Sequence, residues 1–149
     1  MNELSINIEW NLQEQSLKPE TFSKNHKIYI NDNIFNAGPA PEYGGKENEI
    51  NPEQSLVASI SSCHMMTFLA LAAKMRWPVK SYKDSAHAFL GKNSKGKMCV
   101  IKIELNPSIE FDNGFVVSKE EMDKMQDRSH RYCFIANSLS KEVEIKINI

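Results

Sequence analysis

Three cysteines are the residues of this chain best suited to covalent chemistry. Cys63 lies in the middle of the apolar stretch NPEQSLVASISSCHMMTFLALAA, and Cys133 lies near the end of a polar segment, in SHRYCFIANS. A thiolate can attack an electrophile, bind a metal or be oxidised to a sulfenic acid or a disulfide. Free cysteine is also a common core residue, and Cys99, in MCVIKI, is interpreted in that way. Cys63 and Cys133 are therefore the candidates for chemistry.

Two histidines lie close to these cysteines in the sequence. His64 follows Cys63 directly, but adjacent helical residues diverge by about 100°, so we expect His64 to pack or hydrogen-bond on another face. His130 and Cys133 are three residues apart and could share a helical face, which leaves open a zinc site or a cysteine hydrolase that uses Cys63. The zinc site lacks an evident fourth ligand, and the hydrolase lacks an orienting acid and an oxyanion loop. Neither alternative is favoured.

Length and composition limit the classes of protein to which the chain can belong. A length of 149 residues predicts a single domain, residues 1–149. The 18 basic and 19 acidic residues give a net charge of -1, with no basic cluster that would bind nucleic acid. The odd number of cysteines and the polar start MNELSINIEW predict a cytoplasmic protein.

The residues around Cys63 are expected to form one long helix. Asn51 can cap it, Pro52 suits its first turn, and Gln54 can close a capping box with Asn51. Pro78 should end it soon after about residue 75. Nearly every face is apolar or small, but four serines, a threonine and a histidine make the stretch too polar for lipid. We expect a helix surrounded by protein, as in the middle of a dimer, and no membrane span.

The rest of the chain alternates strand and helix signals. SINIEWNL and HKIYIND alternate apolar and polar residues, and a loop rich in Gly, Pro and Asn follows them. SYKDSAHAFLGK and KMCVIKIELNPSIEF should pair as a hairpin through NSKG. Ser118 should cap a helix over SKEEMDKMQDRSHRY, before a short helix or turn in CFIANSLS and a closing strand in KEVEIKINI. This order predicts an α+β domain.

Two phrases of the sequence resemble the OsmC and organic hydroperoxide resistance proteins. NPEQSLVASISSCHMMTFLAL is similar to the Asn-Pro-Glu phrase and first reactive cysteine of that family, and HRYCFIANSLSKEVEIKI is similar to the C-terminal phrase with the partner cysteine. APEYGG resembles an OsmC-like subgroup. The resemblance implies antiparallel sheets around a long buried central helix, in an intertwined homodimer with sites at the subunit interface.

The resemblance also implies a cysteine-based peroxidase without a metal or organic cofactor. Cys63 would attack an organic hydroperoxide, or hydrogen peroxide, and become a sulfenic acid. Cys133 would then form a disulfide with it, and a dithiol reductant, lipoyl-type or other, would restore both thiols. The alternative is a family member that binds a small molecule or thiol with little turnover.

One departure from the family concerns an arginine that is expected in the N-terminal strands and is supported by the Glu of the Asn-Pro-Glu phrase. No arginine precedes Arg76 in this chain, so Lys24 is the predicted substitute, although a lysine lacks the planar fork of a guanidinium. Glu53 is the corresponding glutamate. On an unbroken helix Glu53 and Cys63 are separated by about 15 Å of rise and about 80° of rotation, so Glu53 would serve a site in the partner subunit or the helix would be interrupted.

Overall fold

The computed structural model describes residues 3–149, which fall into two compact units, Met1–Ser55 and Leu56–Ile149. Its strands and helices follow one another in the order predicted for an α+β protein, and that fold class is confirmed. The description of residues 1–149 as a single domain stays a prediction.

The first unit contains an antiparallel sheet of three strands. β1 (Asn7–Glu9) pairs with β2 (His26–Ile30), and β2 pairs with β3 (Asn33–Ala37). Sequence analysis predicted the first two strands but missed β3. The turn between β2 and β3 is only two residues long, and Asn31 takes a left-handed backbone with φ 54°. Asn and Asp are both common turn residues and Asn tolerates the left-handed backbone, so a turn at this point was predictable.

The long helix α1 extends from Pro52 to Lys74 without interruption. Its predicted capping box is confirmed: the Gln54 amide donates to Asn51 Oδ1 at 2.8 Å, and the Asn51 amide donates to Gln54 Oε1 at 3.1 Å. These two bonds satisfy backbone groups that the first turn of a helix leaves without intrahelical partners.

One face of α1 is buried within the chain. Its buried residues recur every three or four positions: Val57, Ile60, His64, Phe68 and Ala72. On the opposite face Met66 is 58% exposed, so the single chain encloses α1 on one face only. By length and composition alone α1 could cross a membrane, with a mean hydropathy of 1.7 in its most apolar window. The core helix of a soluble protein passes the same test, so this observation has little weight.

The second unit contains two small sheets. β4 (Val79–Asp84) pairs with β7 (Pro107–Phe111). β6 (Met98–Leu105) lies between β5 (His87–Lys92), to which it is antiparallel, and β8 (Glu144–Ile147), to which it is parallel.

The predicted hairpin through NSKG is confirmed as the β5–β6 pair. However, the two runs that were predicted to pair, SYKDSAHAFLGK and KMCVIKIELNPSIEF, each form two strands instead of one. The division is stabilised by Asp84, whose Oδ1 accepts a hydrogen bond from the Asn106 amide at 2.7 Å. A side chain that takes a backbone amide in this way competes with continued strand pairing.

The helix α2 (Lys119–Tyr132) begins at Ser118 with a capping box to Glu121, and a short 3-10 turn over Ala136–Ser138 follows it. The core of the second unit has two clusters. One joins α1 to α2 and buries Phe68, Ala72, Met122 and Met125. The other joins α1 to the sheet and buries Ile60, Ile103 and Leu105. The buried face of the helix that contains Cys63 thus packs against both α2 and the sheet.

Candidate active site

Cys63 and Cys133, seventy positions apart in the sequence, lie side by side in the second unit. Cys63 is half-buried in the middle of α1, and Cys133 is only 1% exposed at the end of α2. Both are free thiols, and the Cys133 thiol lies within hydrogen-bonding reach of the Cys63 sulfur. The two residues that sequence analysis selected therefore share one site.

Local backbone geometry determines where the Cys133 sulfur points. Cys133 ends α2, with its own amide donating to the His130 carbonyl oxygen at 3.3 Å. It also bonds to the turn that follows: its sulfur accepts from the Ala136 amide at 3.4 Å, and its carbonyl oxygen accepts from the Asn137 amide at 3.0 Å. A residue that ends one helix and begins the next turn has little freedom, so its sulfur is held in place.

The surroundings of Cys63 favour its thiolate. Partial burial raises the pKa of the Cys63 thiol, but hydrogen bonds from the Ile135 backbone, the Cys133 thiol and the Phe134 backbone outweigh burial and leave this pKa below its ordinary value. The Thr67 hydroxyl donates its proton to the Cys63 carbonyl oxygen at 2.8 Å, so we assign it no share in this effect. The lowered pKa makes Cys63 the more nucleophilic member of the pair at neutral pH.

Cys133 has the opposite character. Burial raises the pKa of its thiol, the Ala136 amide opposes that change, and the neighbouring Cys63 thiolate raises the pKa further. A proton is therefore kept on Cys133 while Cys63 is ionised. The pair therefore combines a half-buried thiol that ionises more readily with a buried thiol that keeps its proton.

His64 is buried at 1% exposure and makes a hydrogen bond of its own rather than one with Cys63, as expected from the sequence. Its Nε2 lies 2.6 Å from Gln126 Oε1 on α2. Burial lowers the pKa of His64, and the bond to Gln126 only partly opposes this. His64 is thus a neutral imidazole that links α1 to α2.

A second polar contact holds α1 one turn before His64. The Ser61 hydroxyl donates to Asp84 Oδ2 at 2.5 Å, at the end of β4. The other carboxylate oxygen of Asp84 accepts from the Asn106 amide at 2.7 Å. Cys63 therefore lies between Ser61 and His64, whose hydrogen bonds connect α1 to β4 and to α2.

Lys24 and Glu53, the other two predicted site residues, belong to the first unit. Lys24 is exposed, and its ammonium group lies 5.7 Å from the centre of the Phe22 ring. Glu53 lies in the first turn of α1, and its buried Oε2 has no hydrogen-bond partner among residues 3–149. Their assignment to the site stays a prediction.

The two alternatives that involve His130 gain no support. Within residues 3–149 no group of three or more His, Cys, Asp or Glu side chains could hold a metal ion. In the same described part of the chain, no hydrogen bond joins His130 to Cys63, as a hydrolase would need.

Sequence analysis missed the backbone amides of Phe134 and Ile135 and the side chain of Gln126. Nearly every residue has a backbone amide, so the sequence does not show that these two donate to Cys63, although the short turn that contains them was predicted. Gln126 precedes Cys133 by seven residues and so lies on nearly the same face of α2, but this spacing alone does not distinguish it from the other polar residues of that helix.

The family model described as OsmC-like protein matches residues 44–148, which is more than half of the chain. The chain belongs to the OsmC-like protein family. The match contains both Cys63 and Cys133, so the family resemblance inferred from the two phrases is confirmed.

Several solved structures share this OsmC-like fold over nearly the whole chain. An OsmC-like protein of unknown function from Vibrio cholerae is 35% identical, with a TM-score of 0.91, and the alignment covers 100% of this chain and 99% of that one. An organic hydroperoxide resistance protein from Legionella pneumophila is 14% identical (TM-score 0.72, coverage 99% and 97%), and one from Bacillus subtilis is 15% identical (TM-score 0.66, coverage 97% and 97%). The last two share the fold. A search of the curated proteins finds no significant match.

Proposed function

We propose that this OsmC-like protein is a thiol-dependent peroxidase that reduces organic hydroperoxides and, as a second substrate class, hydrogen peroxide, with Cys63 as the nucleophile. The observation that carries the proposal is the asymmetric pair. The pKa of the Cys63 thiol is lowered, while the adjacent Cys133 thiol is buried and has a raised pKa. A peroxidase with two cysteines needs this division between an attacking and a resolving thiol.

The reaction has two balanced steps. The Cys63 thiolate attacks the terminal oxygen of the hydroperoxide, the O–O bond breaks, and the alkoxide leaves and takes up a proton, so that Cys63 becomes a sulfenic acid. The Cys133 thiol then attacks the Cys63 sulfur, which forms the disulfide and releases water. An external dithiol, lipoyl-type or other, reduces the disulfide by thiol exchange. The reducing cytoplasm, where we place the protein, would keep both thiols ready.

Activation of the thiolate supplies only part of the required rate. A lower pKa raises the thiolate fraction at neutral pH but also reduces the nucleophilicity of the thiolate, so the two effects largely offset each other. The rest must come from orienting the peroxide and stabilising the charge on the leaving oxygen. We assign this role to Lys24, supported by Glu53, in place of the arginine of the family.

The substrate class is inferred from the relatives. Two proteins with the same fold, from Legionella pneumophila and Bacillus subtilis, are described as organic hydroperoxide resistance proteins. The half-buried position of Cys63 agrees with a site that a small hydroperoxide can enter, whereas the 1% exposure of Cys133 leaves that sulfur to react with Cys63.

A homodimer would complete the site. Helix α1 is unbroken from Pro52 to Lys74, and ten residues along a helix place Glu53 about 15 Å of rise from Cys63. Glu53 can therefore serve such a site only from a second subunit. The exposed face of α1 carries mostly small residues spaced by four, namely Ala58, Ser62, Met66 and Ala70, and a second helix could approach this face closely.

A stopped-flow experiment tests the proposal. Reduced wild type, Cys63→Ser and Cys133→Ser are mixed with cumene hydroperoxide and, separately, with hydrogen peroxide, and thiol loss is followed. We expect fast loss in wild type, none above the background of free cysteine in Cys63→Ser, and a persistent sulfenic acid in Cys133→Ser. A wild type that reacts no faster than free cysteine would remove the peroxidase proposal.

A small-molecule or thiol-binding protein with little turnover is the second candidate. The observation in its favour is that the first arginine of the chain is Arg76, so no guanidinium from the N-terminal strands can orient a peroxide. Slow peroxide reduction by wild type, together with tight binding of a small thiol, would favour this candidate.

A further inference from the structure

The contact between His64 and Gln126 is a directional polar bond inside an apolar region. His64 is 1% exposed and Gln126 is 2% exposed, and Nε2 of the first lies 2.6 Å from Oε1 of the second. The Gln126 amide nitrogen donates to Met122 Sδ at 3.7 Å, which orients its oxygen toward the imidazole. The imidazole must therefore carry its proton on Nε2.

This bond joins α1, which carries Cys63, to α2, which Cys133 ends. His64 is adjacent to Cys63 on α1. Gln126 precedes Cys133 by seven residues, which is about two turns, or about 10.5 Å of rise, and returns to within about 20° of the same face of α2. A shift of α2 against α1 at Gln126 would thus move the Cys133 sulfur relative to the Cys63 sulfur.

We propose that His64 and Gln126 are positioning residues for the cysteine pair, because their hydrogen bond holds α1 and α2 in the register at which the two sulfurs face each other. The neighbouring contacts between α1 and α2 are apolar: Phe68 and Ala72 pack with Met122 and Met125. Apolar contacts are non-directional and tolerate sliding, whereas a buried hydrogen bond is lost when its partners separate. The proposal rests on the proposed function, since it concerns formation of the Cys63–Cys133 disulfide.

The test measures the effective concentration of the two thiols without peroxide. Proteins that carry Cys99→Ala, so that only two thiols remain, are equilibrated anaerobically with reduced and oxidised glutathione, quenched in acid and analysed by mass spectrometry. We expect Gln126→Leu to lower the effective concentration about 10- to 100-fold, because misplacement by about 1 Å has effects of this size. For a two-electron couple this change makes the reduction potential about 30 to 60 mV more oxidising.

Two matched variants separate positioning from a general structural effect. Gln126→Glu keeps an acceptor oxygen for the imidazole, so we expect its effective concentration to stay within about threefold of wild type. Arg128→Leu makes a similar change on the exposed face of α2 and should stay within about twofold. Urea unfolding of each variant establishes that all are compared in the folded state. If Gln126→Leu does not fold, His64→Leu removes the same bond with a side chain of similar size.

A loss in Gln126→Leu that Gln126→Glu restores supports the proposal. Equal effective concentrations in wild type and Gln126→Leu overturn it, and so does an equal loss in Arg128→Leu. Failure of the proposed function looks different, because the glutathione equilibrium contains no peroxide. A wild type that forms the disulfide readily but consumes peroxide slowly leaves the positioning role intact and removes only the peroxidase.

Discussion

The Cys133 thiol is expected to hold down the pKa of Cys63 by donating a hydrogen bond to its sulfur. Cys133→Ala removes that donor, whereas Cys133→Ser replaces it with a hydroxyl, which is a stronger donor than a thiol. Neither variant can form the disulfide, so both report on Cys63 alone once Cys99 is also replaced by Ala. We expect the pKa of Cys63 to be higher in Cys133→Ala than in Cys133→Ser.

The size of this effect follows from the type of bond. A hydrogen bond to a charged group contributes about 1.5 to 3 kcal/mol, and we take about 1 kcal/mol for the weak thiol donor. That energy corresponds to about 0.7 pKa unit. At neutral pH the thiolate fraction then falls by at most about fivefold, while nucleophilicity rises about twofold, so Cys63 in Cys133→Ala should be alkylated at most about 2.5 times more slowly than with the thiol donor in place.

The assay is the rate of alkylation by iodoacetamide as a function of pH from 5 to 10, which gives the pKa of Cys63 in each variant. The amides of Ile135 and Phe134 remain in both variants and should keep the pKa below that of a free cysteine. Equal pKa values in the Ala and Ser variants, or a lower value in the Ala variant, would refute the assignment of Cys133 as a donor.

Three further predictions concern stability. Burial lowers the pKa of His64, so below about pH 6.5 the unfolded chain binds a proton that the folded chain does not. The free energy of unfolding should therefore be highest above about pH 6.5 and fall by up to about 1.4 kcal/mol per pH unit below it. Urea unfolding should show a smaller fall in His64→Leu. Phe68→Ala should cost about 3 to 5 kcal/mol in urea unfolding, whereas the exposed Met66→Ala on the same helix should cost less than about 1 kcal/mol. Ser118→Ala should cost about 1 kcal/mol by loss of the α2 cap, and an unchanged thermal midpoint would contradict that role.

Local signals predicted most of the fold. The limits of α1 follow from Asn51, Gln54 and Pro78, because capping and proline geometry act within a few residues. The same holds for the start of α2 at Ser118. The division of the two long strand runs was missed, because it depends on a contact between Asp84 and Asn106, which are far apart in the sequence.

The candidate site was predicted in part. Cys63 and Cys133 were selected from the residues that surround them in the sequence, and the structure brings them together. Gln126 was not selected, because a glutamine on a polar helix has no distinguishing signal until its partner His64 is placed opposite it. Lys24 and Glu53 remain predictions that rest on the family pattern.

The amino-acid sequence by itself determined the α+β order of elements, the capped ends of both helices and the identity of the two cysteines, since these depend on short-range preferences and recognisable phrases. Only the tertiary structure decided the difference in pKa between the two thiols, on which the proposed roles of Cys63 and Cys133 rest. That distinction depends on the burial of Cys133 and on the donors from residues 133–135 that reach Cys63. Burial and the approach of donors seventy positions away are properties of the folded chain, and these properties set the pKa of each thiol.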